Sequence, residues 1–96
     1  MDDVFHALSA PVRRLIIDEL RDRDGQTLFE LCSRLTMRHQ VNLSRQAVSQ
    51  HLEVLEAAGL LRTRREGRYK YHDLDLEPLR QAVAGWLDVA ADQDHE

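Results

Sequence analysis

Aromatic side chains make up only 5% of this 96-residue chain, with one cysteine, two prolines and four glycines. A single thiol excludes an intrachain disulfide framework. With so few aromatics, the core must come from Leu, Val, Ile and Ala. No apolar run approaches the roughly 20 residues that a membrane-spanning helix needs. The N-terminus is acidic and lacks the apolar stretch of a secretory signal. There is no glycine-rich phosphate loop, no Ser-His-Asp spacing and no convincing carboxylate pair, so no enzyme is expected. Asp18-Glu19 and Asp92-Asp94 read as solvated faces. What remains is one soluble domain over residues 1–96, suited to a reducing cytoplasm. Its small core implies help from oligomerisation.

Charge is present in quantity but unevenly. The net charge is −4. Residues 1–33 carry four Arg against seven acids, and residues 73–96 one Arg against seven. Residues 34–72 carry seven Arg and one Lys against three Glu, a balance of +5. A basic block between acidic flanks is what a phosphate-binding face needs, because local potential steers nucleic acid. A solvated basic face that binds nothing has the same composition.

Periodicity predicts five helices and a hairpin. Asp2 or Asp3 caps a short helix carrying Val4, Phe5, Ala7 and Leu8. Pro11 opens a second, with Val12, Leu15, Ile16 and Leu20 on one face and Asp24-Gly25 at its end. Thr27 and Glu30 form a capping-box pattern for a third through Leu28, Leu31 and Leu35. The polar stretch 36–43 lengthens or follows it. Ser44 caps a fourth helix ending at Gly59, with Val48, Leu52 and Leu55 inward and Arg45, Gln46, Ser49 and Gln50 outward. Leu61–Arg65 and Arg68–His72 then alternate as strands joined through Glu66-Gly67. Asp75 caps a last helix carrying Leu76, Leu79, Val83, Trp86, Leu87 and Ala90.

The fold class is therefore mainly α with a β-hairpin wing (α+β), ordered helix-helix-helix-helix-strand-strand-helix. This is the layout of a winged helix-turn-helix. A helix fits the major groove and its first turns reach base edges, where Arg, Gln and Ser are useful. Ser44, Arg45, Gln46, Ser49, Gln50 and His51 are the expected contacts on the reading helix. A structural hydrogen bond is a near-equal role for His51. Arg64, Arg65, Arg68 and Lys70 on the wing are expected at phosphates or the adjacent minor groove. Arg38 and His39 are placed to face a phosphate from the long corner. Tyr69 and Tyr71 read as wing packing. Val4, Phe5 and Leu8 with Leu79, Val83, Trp86 and Leu87 form stripes too large for a monomer to hide, so they are expected to pair two copies.

From Leu43-Ser44-Arg45-Gln46-Ala47-Val48-Ser49-Gln50-His51-Leu52 onward the sequence resembles the ArsR/SmtB family of bacterial regulators. The likeness continues through Leu55-Glu56-Ala57-Ala58-Gly59-Leu60-Leu61 and Arg64–Tyr71, and upstream in Phe5–Arg14. It implies a dimeric repressor of double-stranded DNA at an inverted-repeat operator, with the terminal helices joining the subunits. The connection at 36–43 is longer than the family's usual turn, and Ala10 stands where the family often has a capping Asp. Many members sense metal through Cys-x-Cys in the third helix, but the matching positions here are Thr27 and Phe29. Cys32 falls where a small core residue is usual, and the last helix has no His before His95. The chain thus resembles the non-metal-sensing subgroup, with no cofactor and no metal site. A protein-interaction module, an atypical metal- or thiol-responsive repressor using Cys32, and an unknown small-molecule effector stay open.

Overall fold

The computed structural model describes the backbone of residues 2–95 and the side chains of residues 3–87. The order is α1 (Asp2–Leu8), α2 (Pro11–Asp22), α3 (Leu28–His39), α4 (Arg45–Ala57), β1 (Leu61–Glu66), β2 (Tyr69–Leu74) and α5 (Glu77–His95). This is the winged helix-turn-helix architecture that the sequence implied. No described helix is long and apolar enough to cross a membrane.

Local chemistry explains most boundaries. Helix α1 begins at Asp2, so both acids lie inside its first turn rather than at its cap. Pro11 starts α2, where its missing N–H is no loss, and Ala10 supplies no side-chain cap. Side chains of α2 serve instead the end of the preceding helix. Arg13 Nε donates to the Ala7 carbonyl (2.7 Å), and Arg14 Nη1 to that of Leu8 (2.7 Å). Two cations thus close the C-terminal end of α1, where carbonyls lack helical partners. At α3 the capping box forms fully between Thr27 and Glu30. The helix reaches His39 and stops at Gln40, which takes a left-handed φ of 55°.

Ile16, Leu20, Leu31, Leu35, Val48, Leu52, Leu55, Leu60 and Leu61 make a core shared by α2, α3, α4 and β1. Two expectations about faces need correction. Val4, expected on the subunit stripe, is 5% exposed and packs into this core, which leaves it little surface to offer a second copy. On α2 the inward face also takes Arg13, Ile17 and Glu19, while Val12 and Leu15 lie at its margin.

A two-stranded hairpin is marginal alone, and this one is tied down at its base. The strands pair antiparallel from Leu61↔Leu74 to Glu66↔Tyr69. The loop is therefore Gly67-Arg68, one residue later than Glu66-Gly67. Glycine at the first central position supplies the positive φ (63°) that a type II′ loop requires there. The buried His72 sends its backbone N–H and its Nδ1–H to the Gln26 carbonyl, both at 2.9 Å. Asp24 Oδ1 accepts from the Leu74 amide at 2.7 Å. The α2–α3 loop thereby fixes the angle at which the wing leaves the body.

Candidate nucleic-acid interface

Helix α4 presents its polar face because its other face is consumed by Val48, Leu52 and Leu55. Ser44 Oγ accepts from the Ala47 amide at 3.1 Å and fixes where the helix starts. Arg45, Gln46 and Gln50 are exposed in the first turns, and Ser49 is half-buried beside them. Across from them stands β2. Between the two lies a groove of about 660 Å³, lined by Arg45, Ser49, Arg68, Lys70 and, on its floor, His72 and Leu52. Strand pairing sets Arg65 opposite Lys70 and Thr63 opposite His72. Directly paired residues share a face, so Arg65 and Lys70 lie on the same side of the wing as His72.

His51 does not join this set. It is turned against Arg13, whose Nη1 donates to His51 Nδ1 at 3.1 Å. Burial, and secondarily the Arg13 charge, hold the imidazole below its ordinary pKa, which favours the neutral acceptor form. Of the two roles weighed for His51, the structure forms the structural hydrogen bond, which links α2 to α4.

The basic block divides into two equal parts. Among the described residues, Arg34 and Arg38 pair with Glu19 and Asp22, Arg62 with Asp75, and Arg64 with Glu66 and Asp73. Arg45, Arg65, Arg68 and Lys70 make no ion pair among those residues, and all four are exposed. They sit on α4 and the outer half of the wing. Arg64 was expected among the phosphate contacts. It is held on the hairpin by two carboxylates at 2.8 Å, over the Tyr71 ring at 4.8 Å.

The pair Asp18-Glu19 is also corrected. Asp18 is exposed, but Glu19 is only 2% exposed. Its carboxylate takes Arg34 Nη1 at 2.9 Å and His39 Nε2 at 2.8 Å, with Arg38 Nε at 3.5 Å. Burial alone would raise this carboxyl. The hydrogen bonds from Arg34 and His39 and the charges of Arg38 and Arg34 outweigh it and hold the group below its ordinary value. Arg38 and His39, expected toward a phosphate, are turned toward Glu19. They pin the long corner to α2.

Sequence reasoning missed one residue at the interface. Phe29 is 64% exposed, and its ring lies under the Arg45 guanidinium at 5.8 Å. Its signal was an aromatic one position off the Leu28–Leu31–Leu35 stripe.

Helices α1 and α5 carry a second surface. Phe5 stacks on Trp86 at 6.2 Å between ring centroids, and Trp86 and Leu87 are largely exposed. Leu8, Leu79 and Val83 are half-buried. Thr27 and Phe29 offer a metal no thiolate or imidazole. Burial pushes the half-buried Cys32 thiol up, with the nearby Arg45 charge pulling weakly the other way. Among the described residues no group of three or more His, Cys, Asp and Glu could hold a metal ion.

Comparison with known proteins bears on this geometry. The profile of a helix-turn-helix domain matches residues 8–64. Over 87 residues the chain is 42% identical to YuzN, an uncharacterized HTH-type transcriptional regulator of Bacillus subtilis (strain 168). That alignment covers 91% of this chain and 95% of YuzN. It is 30% identical to the transcriptional repressor SdpR of the same organism, covering 91% and 88%. An ArsR-like transcriptional regulator from Rhodococcus sp. RHA1 superposes with a TM-score of 0.77. There the identity is 30%, over 98% of this chain and 80% of the other.

Proposed function

Because the chain belongs to the ArsR-like family of helix-turn-helix transcriptional regulators, we propose that it is a homodimeric cytoplasmic repressor of an inverted-repeat operator. The observation that carries this reading is the sorting of the cations. Within residues 34–72, four cations are paired with acids, and the four that make no ion pair among the described residues lie on α4 and the wing.

Helix α4 enters the major groove, and Arg45, Gln46, Ser49 and Gln50 meet base edges and nearby phosphates. Ser44 spends an oxygen lone pair on the cap, and so sets the register of the helix. Arg65, Arg68 and Lys70 straddle the DNA backbone from the wing, acting mainly through charge. Residues 1–96 work as one domain. Phe5, Trp86 and Leu87, with Leu8, Leu79 and Val83 beside them, pair across a two-fold axis. The two reading helices then stand about one DNA turn apart. Likeness to a transcriptional repressor supports repression over activation. The reading needs no metal, since the donor set at Thr27 and Phe29 is wrong and Cys32 belongs to no group of three or more possible ligands among the described residues.

The test is fluorescence anisotropy on duplexes from upstream of the chain's own gene against scrambled duplexes. It is run over a salt series, with EDTA and with added zinc. Tight, salt-steep binding to one duplex, indifferent to both additions, is expected. Equal affinity for every duplex would remove the regulator reading, and zinc-driven release would return Cys32 to consideration. Sedimentation should show a dimer at micromolar concentration. Trp86→Glu should give a folded monomer with operator affinity reduced at least about tenfold, because two half-sites no longer bind as one unit.

A further inference from the structure

Arg45 occupies an awkward place for a cation. It is the first residue of α4, where the helix dipole presents its positive end, and the first turn contains no acid. It makes no ion pair among the described residues. A long side chain so placed would sample many rotamers, and each must be given up when a base is contacted.

One neighbour is placed to restrain it. Phe29 lies on the first turn of α3, roughly 100° from the buried stripe. Its 64% exposure shows that it is not a core residue. Phe29 and Arg45 together border the groove toward the wing and, on the other side, a shallow hollow with Cys32, Thr36 and Met37. The guanidinium lies 5.8 Å from the ring centroid, within reach of the negative face of the π-system. The contrast with Arg64 is informative. Two carboxylates hold Arg64 and cancel its charge. An aromatic face holds a guanidinium and leaves its charge intact.

We infer that Phe29 is a positioning residue for sequence readout. Its ring holds the Arg45 guanidinium, still charged, in the orientation from which α4 meets DNA. This rests on the regulator reading above. The contact is exposed, so its effect is modest: removing it should cost about three- to fivefold in specific affinity.

The experiment uses the full chain and the duplex that wild-type protein selects from a random pool. Phe29→Ala should weaken binding to that duplex by this factor, leaving affinity for scrambled DNA and the salt slope unchanged. Phe29→Tyr and Phe29→Trp should restore binding, while Phe29→Leu, equally apolar but without a π-face, should not. In an Arg45→Ala background the Phe29→Ala change should have no further effect. The inference is overturned if Phe29→Leu binds like wild type, or if the two losses are additive. It is equally overturned if selected and scrambled DNA weaken together. Melting temperatures confirm that each variant is folded, and Phe29→Leu carries the test if Phe29→Ala is not. If wild-type protein selects no duplex at all, the regulator reading fails and this inference with it.

Discussion

The α2–α3 junction and the α4–wing face are built from the same residue type and use it in opposite ways. At the junction, Arg34, Arg38 and His39 converge on a buried carboxylate, Glu19, with Asp22 at the rim. At the other face, Arg45, Arg65, Arg68 and Lys70 are exposed and make no ion pair among the described residues. In the first place positive charge is spent on holding two helices together. In the second it stays open to solvent, where the proposed reading puts phosphate. A basic stretch is thus not a binding face until the acids folded against it have been subtracted, and here acids drawn mostly from the two flanks pair with half of it.

The largest effect should come from the junction. Glu19→Gln removes a buried charge shared by Arg34, Arg38 and His39, and should lower unfolding free energy by about 2–3 kcal/mol. The cations left behind are partly exposed and can rehydrate, which keeps the cost below that of a fully buried orphan. Urea titration reads it. Operator affinity of the folded protein should barely move, and a large affinity loss would break the comparison. The junction also has a pH signature. The Glu19 pKa is depressed in the folded chain, so its stabilisation is full above the ordinary carboxylate value. It is lost as pH falls through the folded one. His51, also depressed, favours folding above the ordinary histidine value and loses that contribution as pH drops below it. Stability should therefore decline in two stages on acidification, and Glu19→Gln should abolish only the lower stage.

At the other face the effects should appear in binding instead. Arg45→Ala should cost roughly 1–3 kcal/mol of operator binding if its contact is to a base, with the urea midpoint unchanged. Arg68→Ala should weaken selected and scrambled DNA alike. It should also reduce the slope of log K against log salt by about 0.9, one phosphate's worth. A loss confined to the selected duplex would instead make the wing a base reader. The smallest effect sharpens the boundary between the two regions. Arg64→Ala should leave the salt slope unaltered, since Asp73 and Glu66 already balance its charge. It should cost little stability, because the ion pairs and the Tyr71 contact that it removes are exposed to solvent. A slope change as large as that of Arg68→Ala would show that DNA strips Arg64 from its acids.

The features legible in the sequence are those the chain decides over a few residues. The Thr27–Glu30 capping box, the Ser44 cap, Pro11 at a helix start and the Val48–Leu52–Leu55 stripe each depend on spacings of three or four positions. Helix geometry turns such spacings directly into contacts. The order of four helices, a hairpin and a last helix followed from them, as did the polar outer face of α4. The hairpin loop was displaced by one residue, because both Glu66-Gly67 and Gly67-Arg68 offer a glycine and only the strand register chooses between them. The tertiary structure decided which polar residues are free. Glu19 meets His39 across 20 positions, and Arg13 meets His51 across 38. Nothing local marks Glu19 as buried beside the exposed Asp18, or Val4 as core beside the exposed Phe5. Burial and ion pairing are properties of two surfaces brought together, and only the packing of α1, α2, α3 and α4 brings these surfaces into contact.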